Sequence, residues 1–160
     1  MSEAFRRLRE SLSIGEMAAW PADTEASQPG SIFDALAIRP THLGPGAARA
    51  EMVVDAQHLN QRGLCQGGAI VTLADATAAW ATYCLVPDGH GFTTLELHTN
   101  LIGTARKGDV LVALARSVHA GRSTAVLSVE VLHLAQERLS APNRRLCAMF
   151  TCTQSVLLPR

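Results

Sequence analysis

Apolar and polar positions along the chain fall into two rhythms. In Phe92–Ile102, Leu95, Leu97 and Leu101 lie on one side while Glu96, His98 and Asn100 lie on the other, the period of a strand. Asp109–His119 and Ser123–Leu134 are two further strands rich in Val, Leu and Ala, joined tightly at Ala120-Gly121. Arg145–Val156 is another, with Leu146, Ala148, Phe150 and Cys152 on one face. Ala135–Asn143, which contains Pro142, is a polar loop. Upstream, Ile32–Pro40 and Ala47–Ala56 read as short strands on either side of the turn Leu43-Gly44-Pro45-Gly46. Gln66–Leu85 breaks the strand rhythm: it is apolar nearly all round, which predicts one buried helix of about five turns. Pro87-Asp-Gly89-His-Gly91 ends it.

The order is two strands, a buried helix, then four strands with short connections. That pattern predicts an α+β fold, an antiparallel β-sheet wrapped around one long buried helix. Residues 1–31 stand apart as an N-terminal helix and linker, and 32–160 form the main domain. In the first segment Phe5, Leu8 and Leu12 share a helix face, with Arg6, Arg9 and Glu10 elsewhere. This is too charged for a secretory leader and predicts an amphipathic packing helix. Pro21–Gly30, rich in Ala, Ser, Pro and Asp, reads as the linker.

Composition narrows the function. Fourteen Lys and Arg balance fourteen Asp and Glu, so no basic stripe marks a nucleic-acid partner. Aromatics make up 4%, too few for base-stacking platforms. No apolar run approaches bilayer length, so no membrane partner is expected. Cys65, Cys84, Cys147 and Cys152 form no Cys-x-x-Cys pair and read as reduced thiols of a cytoplasmic protein. The six histidines show no ligand spacing, so no metal site is expected, and no cofactor.

The chemistry concentrates in 58–75. A polar loop with glycines runs into the apolar helix at Gly67-Gly68, where helix-start N–H groups are unpaired and carry partial positive charge. Eight residues on, Asp75 stands among Ala69, Ile70, Val71, Leu73, Ala74, Ala76 and Ala78. A carboxylate in such surroundings is costly unless it is bonded or has a task, and burial raises its pKa towards neutrality. Oxyanion donors and a lone acid are the parts of an acyl-transfer site. Asp75 serves there as general base or as nucleophile; its bland alternative is a buried Asp satisfied by Thr72 or Thr77. Gly67 and Asp75 are about 12 Å apart along one helix, too far to meet one carbonyl carbon from a single chain. Two antiparallel helices of a two-fold homodimer would bring them together.

The run His58-x-Asn60-x-x-Gly63-x-x-Gln66-Gly67-Gly68, followed by Leu-Ala-Asp75, resembles the hotdog-fold acyl-CoA thioesterases. It is most like their PaaI-like branch, related to the 4-hydroxybenzoyl-CoA thioesterases. The resemblance covers roughly residues 32–156, with Thr93-Thr94-Leu-Glu-Leu, Lys107-Gly108-Asp109 and His119-Ala-Gly121-Arg122 where later strands and turns of that family fall. It implies a hotdog domain hydrolysing an acyl-CoA, with coenzyme A entering only as part of the substrate, in a homodimer or tetramer. Asp75 matches the catalytic carboxylate, Gly67 the N–H that polarises the thioester carbonyl, and Asn60 a polar residue that holds the nucleophile or attacking water. Gln66 departs from the family's usual His: its amide donates a hydrogen bond but carries no proton. Three functions follow for testing: a thioesterase for a small or aryl acyl group, a hotdog dehydratase or hydratase, and an acyl-CoA-binding module without turnover.

Other candidates are weighed against structural roles. Gly68 and Thr93 are expected to line the substrate site, though a strand Thr is ordinarily structural. Arg122, with Ser123 and His119 nearby, would pair with coenzyme A phosphates or else form a solvated hairpin charge. Asn60 is equally a turn residue bonding its own backbone. Cys65 beside the helix start, with His58 as a base, is outweighed by its reading as a small buried hydrophobe.

Overall fold

The long apolar segment forms a helix from Gly67 to Tyr83 (α3), with Gln66 as its N-cap, and most of its residues are buried. The computed structural model describes residues 3–22, 24–25, 29–134 and 145–159. Two shorter helices precede α3: Glu3–Ser11 (α1) and Ile32–Ala35 (α2). The strands are Ala18–Ala19 (β1), Arg39–Gly44 (β2), Ala47–Val53 (β3), Gly91–Leu101 (β4), Val110–Ala120 (β5), Thr124–Leu134 (β6) and Arg145–Leu157 (β7). All seven join one antiparallel sheet in the order β1-β2-β3-β5-β6-β7-β4, so β4 returns to the far edge, where among the described residues it pairs with β7 alone.

α3 lies on the inner face of this sheet. Both surfaces are built of small side chains: Ala69, Ala74, Ala76, Ala78 and Ala81 on the helix, and Ala48, Ala50, Ala113, Ala115 and Ala125 on the strands, all buried. Small residues let helix and sheet approach closely, and Leu73, Met52, Leu111, Leu127 and Phe150 fill the remaining space. Each large side chain taken fully out of water contributes about 1.5–3 kcal/mol. Gly46, at φ +67°, makes the β2–β3 turn, a conformation that disfavours any side chain.

One expectation is corrected and two features are added. Ile32–Pro40 is a strand only at its end: Ser31 caps a short helix by accepting from Asp34 N (3.3 Å), and Asp34 accepts from Gly30 N (3.0 Å). The local Ser-x-x-Asp cap outweighs alternation there. The Leu95, Leu97 and Leu101 face of β4 is not buried in the protomer. These side chains are 62%, 42% and 53% exposed, and a bulge between Thr94 and Glu96 takes Leu95 out of register with β7. Finally, the N-terminal segment adds β1 to the sheet. The expected loop Ala135–Asn143 lies outside the described residues, as does part of Pro21–Gly30.

The N-terminal helix packs as its apolar face predicts. Phe5 meets Trp20 edge-on at 5.3 Å, Trp20 meets Trp80 at 5.9 Å, and Phe33 meets Trp80 at 5.6 Å. Arg6 and Arg9 each lie 3.2 Å from Asp88, and Arg9 also donates to Val86 O (2.9 Å), just past the C-terminal end of α3. Among the described residues no helix is long and apolar enough to cross a membrane.

Candidate active site

The loop before α3 is pinned by its own polar groups. His58 is buried; its Nδ1 accepts from Asp55 N (2.8 Å) and its Nε2–H donates to Leu36 O (2.8 Å). Both ring nitrogens are therefore committed in a neutral imidazole, which leaves His58 no free nitrogen to act as a base. Asn60 Oδ1 accepts from Arg62 N (2.9 Å) and Leu64 N (3.3 Å), the turn-forming alternative considered for it. Cys65 N donates to Ala105 O (2.8 Å) and Gln66 N to His58 O (2.7 Å), which fixes the direction in which α3 begins. Burial, with Cys147 adding to it, pushes the Cys65 thiol up to about 11, the behaviour of an inert core residue.

Gly67 and Gly68 open α3, and the Gln66 side chain makes no cap bond, so it lies free at the exposed helix start. The first amides of a helix have no intrahelical acceptor, so this end presents N–H donors with the dipole behind them. Gly67 packs against Leu101: a Cβ there would come within 2.6 Å of Leu101 Cδ1.

Asp75 lies on the same helix, two turns further on. It is half-buried, and its Oδ1 is shut off from solvent with no hydrogen-bond partner among the described residues. Burial raises its pKa, and a hydrogen bond with the Thr94 side chain works against that rise. Thr72 and Thr77, the neighbours expected to satisfy it, instead donate to Gly68 O (2.9 Å) and Leu73 O (2.7 Å). The carboxylate is thus held short of full satisfaction at the helix–sheet boundary.

Two groups beside Asp75 are not evident from sequence. Thr94, rather than its neighbour Thr93, acts on the carboxylate and holds its pKa down against burial; both threonines are exposed, and Thr93 pairs with Ser155. Cys152 on β7 feels the Asp75 charge, and burial together with that charge raises its thiol to about 11. Strand pairing of β4 with β7 creates this juxtaposition, and no local motif announces it. Arg122 and Ser123 sit exposed in the β5–β6 turn. Arg122 borders a cleft of about 350 Å³ with Leu85, Val86, Pro87 and His90, at the C-terminal end of α3. A 17-residue helix is about 25 Å long, so one protomer keeps Arg122 far from Gly67. His119 packs over the same turn, its Nε2 occupying the space a Cβ at Gly121 would need.

Comparison with known proteins identifies the family. Residues 62–139, which span the glycine pair and Asp75, match the family model described as thioesterase superfamily. A provisionally named esterase of Pseudomonas aeruginosa is 36% identical over 66% of this chain and 73% of its own. The 1,4-dihydroxy-2-naphthoyl-CoA hydrolase of Escherichia coli is 28% identical over 80% and 88%. The solved PaaI protein of the E. coli phenylacetic acid degradation operon superposes with a TM-score of 0.67 at 27% identity, covering 77% of this chain and 81% of that one. With the sheet wrapped around α3, these matches place the chain in the thioesterase superfamily as a hotdog-fold thioester hydrolase.

Proposed function

We propose that the protein hydrolyses acyl-CoA thioesters with a small or aryl acyl group to the free acid and coenzyme A. The observation that carries this reading is Asp75: a half-buried carboxylate whose proton affinity is raised by burial, on a helix that starts with two glycine amides. A raised pKa brings the acid nearer the working pH, where proton transfer is efficient. Asp75 either takes a proton from the attacking water or attacks the carbonyl carbon to form a mixed anhydride, which water then opens. In both cases the thioester oxygen gains negative charge, which the Gly67 and Gly68 amides stabilise, and the thiolate leaves. Gln66 supports the substrate as an uncharged donor. Asn60 contributes by shaping the turn before α3.

The site is completed by a second copy. One helix separates Gly67 from Asp75 by about 12 Å, while donors must lie about 3 Å from the oxyanion. β4 is an unpaired edge carrying exposed Leu95, Leu97 and Leu101. An edge of that kind invites a two-fold partner, whose Gly67 would then face Asp75 of the first copy. Arg122 and Ser123, remote from Gly67 in one protomer, would hold coenzyme A phosphates in the assembly. Neutral His58, locked to backbone at both nitrogens, gives no support to a His-dependent dehydratase.

The test is thiol release from a panel of aliphatic and aryl acyl-CoAs by wild type and Asp75→Asn. Turnover that depends on Asp75 supports the reading. Equal rates for the two proteins remove the assigned acid, and tight acyl-CoA binding without turnover makes the protein a binding module.

A further inference from the structure

Gln154 lies wholly out of solvent on β7, and among the described residues its carboxamide meets no nitrogen or oxygen partner; the Cys152 thiol beside it is a weak one. Buried amides are normally bonded, and an orphaned one is a standing cost to the fold. Its place is specific. Phe150, Cys152 and Gln154 alternate along β7 and are all buried, so they share the inner face, over which α3 packs. Thr94 is directly opposite Gln154 in the β4–β7 ladder, where facing side chains lie about 4.5–5.5 Å apart at Cβ. Thr94 lies near enough to the Asp75 carboxylate to lower its pKa, while Thr94, Gln154 and the Asp75 charge all act on the Cys152 thiol. Asp75, Thr94, Cys152 and Gln154 therefore form one polar cluster beneath α3. Two of its members have unmet bonding capacity of complementary sign: the buried Asp75 Oδ1 only accepts, and the Gln154 amide donates.

We infer that Gln154 is a positioning residue for Asp75, its amide N–H serving the buried Oδ1 through one bridging water so that the other carboxylate oxygen is turned towards the substrate. The inference rests on the reading of Asp75 as the reacting acid. A bridging water is nearly as good enthalpically as a direct bond and suits a site with two or more polar partners. Leu or Met at this buried strand position would avoid the cost of an unmet amide, so the amide points to its polar neighbours Thr94 and Cys152 and, through them, to Asp75. Thr94 from β4 and Cys152 from β7 are the side chains that act with Asp75. Of the two only Cys152 titrates, and burial keeps it protonated to about 11, so its charge is constant while Asp75 titrates.

The experiment compares wild type, Gln154→Met and Asp75→Asn, Met being unbranched and similar in size. Three quantities are read: melting temperature, the Asp75 titration followed by carboxyl-carbon NMR, and steady-state kinetics on the best acyl-CoA. Gln154→Met is expected to melt at or above the wild-type temperature, to titrate Asp75 at higher pH, and to lose on the order of tenfold in kcat with KM within about twofold. An unchanged Asp75 titration overturns the inference. So does failure of Gln154→Met to fold, which would make the amide a structural necessity. Absence of thiol release by wild type counts against the functional reading alone, since the NMR titration still decides whether Gln154 acts on Asp75.

Discussion

Replacing Gly67 by Pro removes one hydrogen atom from the proposed oxyanion site and leaves the helix standing. Gly67 is the first residue of α3, the position where Pro is favoured because its missing N–H has no helical partner and its φ is already set. The preceding Gln66 sits at φ −66°, ψ 136°, the extended region that a residue before Pro needs. The new ring introduces a Cβ within 2.6 Å of Leu101 Cδ1, but Leu101 is half-exposed and can turn away. Gly67→Ala makes the same contact and keeps the N–H, so the ratio of the two variants isolates the donor. Loss of one oxyanion donor costs about 2.7–4 kcal/mol in the transition state, roughly 100- to 1,000-fold in kcat. The effect on stability is small, since a compatible Pro stabilises by about 0.4–1 kcal/mol through the unfolded chain. Thiol release at saturating acyl-CoA, with thermal melts alongside, measures both. Gly67→Ala should work near the wild-type rate and Gly67→Pro about two to three orders of magnitude slower, with similar melting temperatures. A Pro variant within about threefold of the Ala variant would refute the role given to this amide.

Asp75→Asn should lower kcat by about 10²–10⁴ while raising the melting temperature near neutral pH. The sign follows from the raised pKa: the folded chain holds this proton to higher pH than the unfolded one. Wild type therefore loses stability as pH rises from about 4 through the folded value, and Asn does not, so the gain fades on acidification. Leu95→Lys with Leu97→Lys should give a folded monomer by sedimentation with little turnover, because both side chains are exposed in one protomer and lie on the unpaired edge. An active monomer would end the case for a composite site. Trp80→Ala should cost about 3–5 kcal/mol in denaturant melts, since Trp80 is buried against Trp20 and Phe33. A loss below about 1 kcal/mol would show that the aromatic cluster is not part of the core.

Much of the fold is legible in the sequence because its signals are local. Alanine-rich α3 and the strands β3, β5, β6 and β7 each carry their own periodicity, and Asp75 is conspicuous against the alanines around it. What is not legible is set by pairing. Thr93 and Thr94 are indistinguishable as letters, and the bulge after Thr94 together with the β4–β7 register decides which one reaches Asp75. Gln154 reads as one more polar position near the end of a strand, and only the inner-face alternation of β7 brings it under α3. α2 is missed by the strand reading of Ile32–Pro40, although Ser31 and Asp34 carry a helix-start signal that the apolar residues between them obscure. The exposed leucines of β4 show the limit of alternation: it identifies an apolar face without saying whether the same chain covers it.

The chain has two tryptophans, and they touch each other, one beside β1 and the other on α3. All tryptophan emission therefore originates at the seam where the N-terminal segment meets the central helix. Fluorescence is a label-free gauge of whether that seam is closed, readable in the same cuvette as turnover.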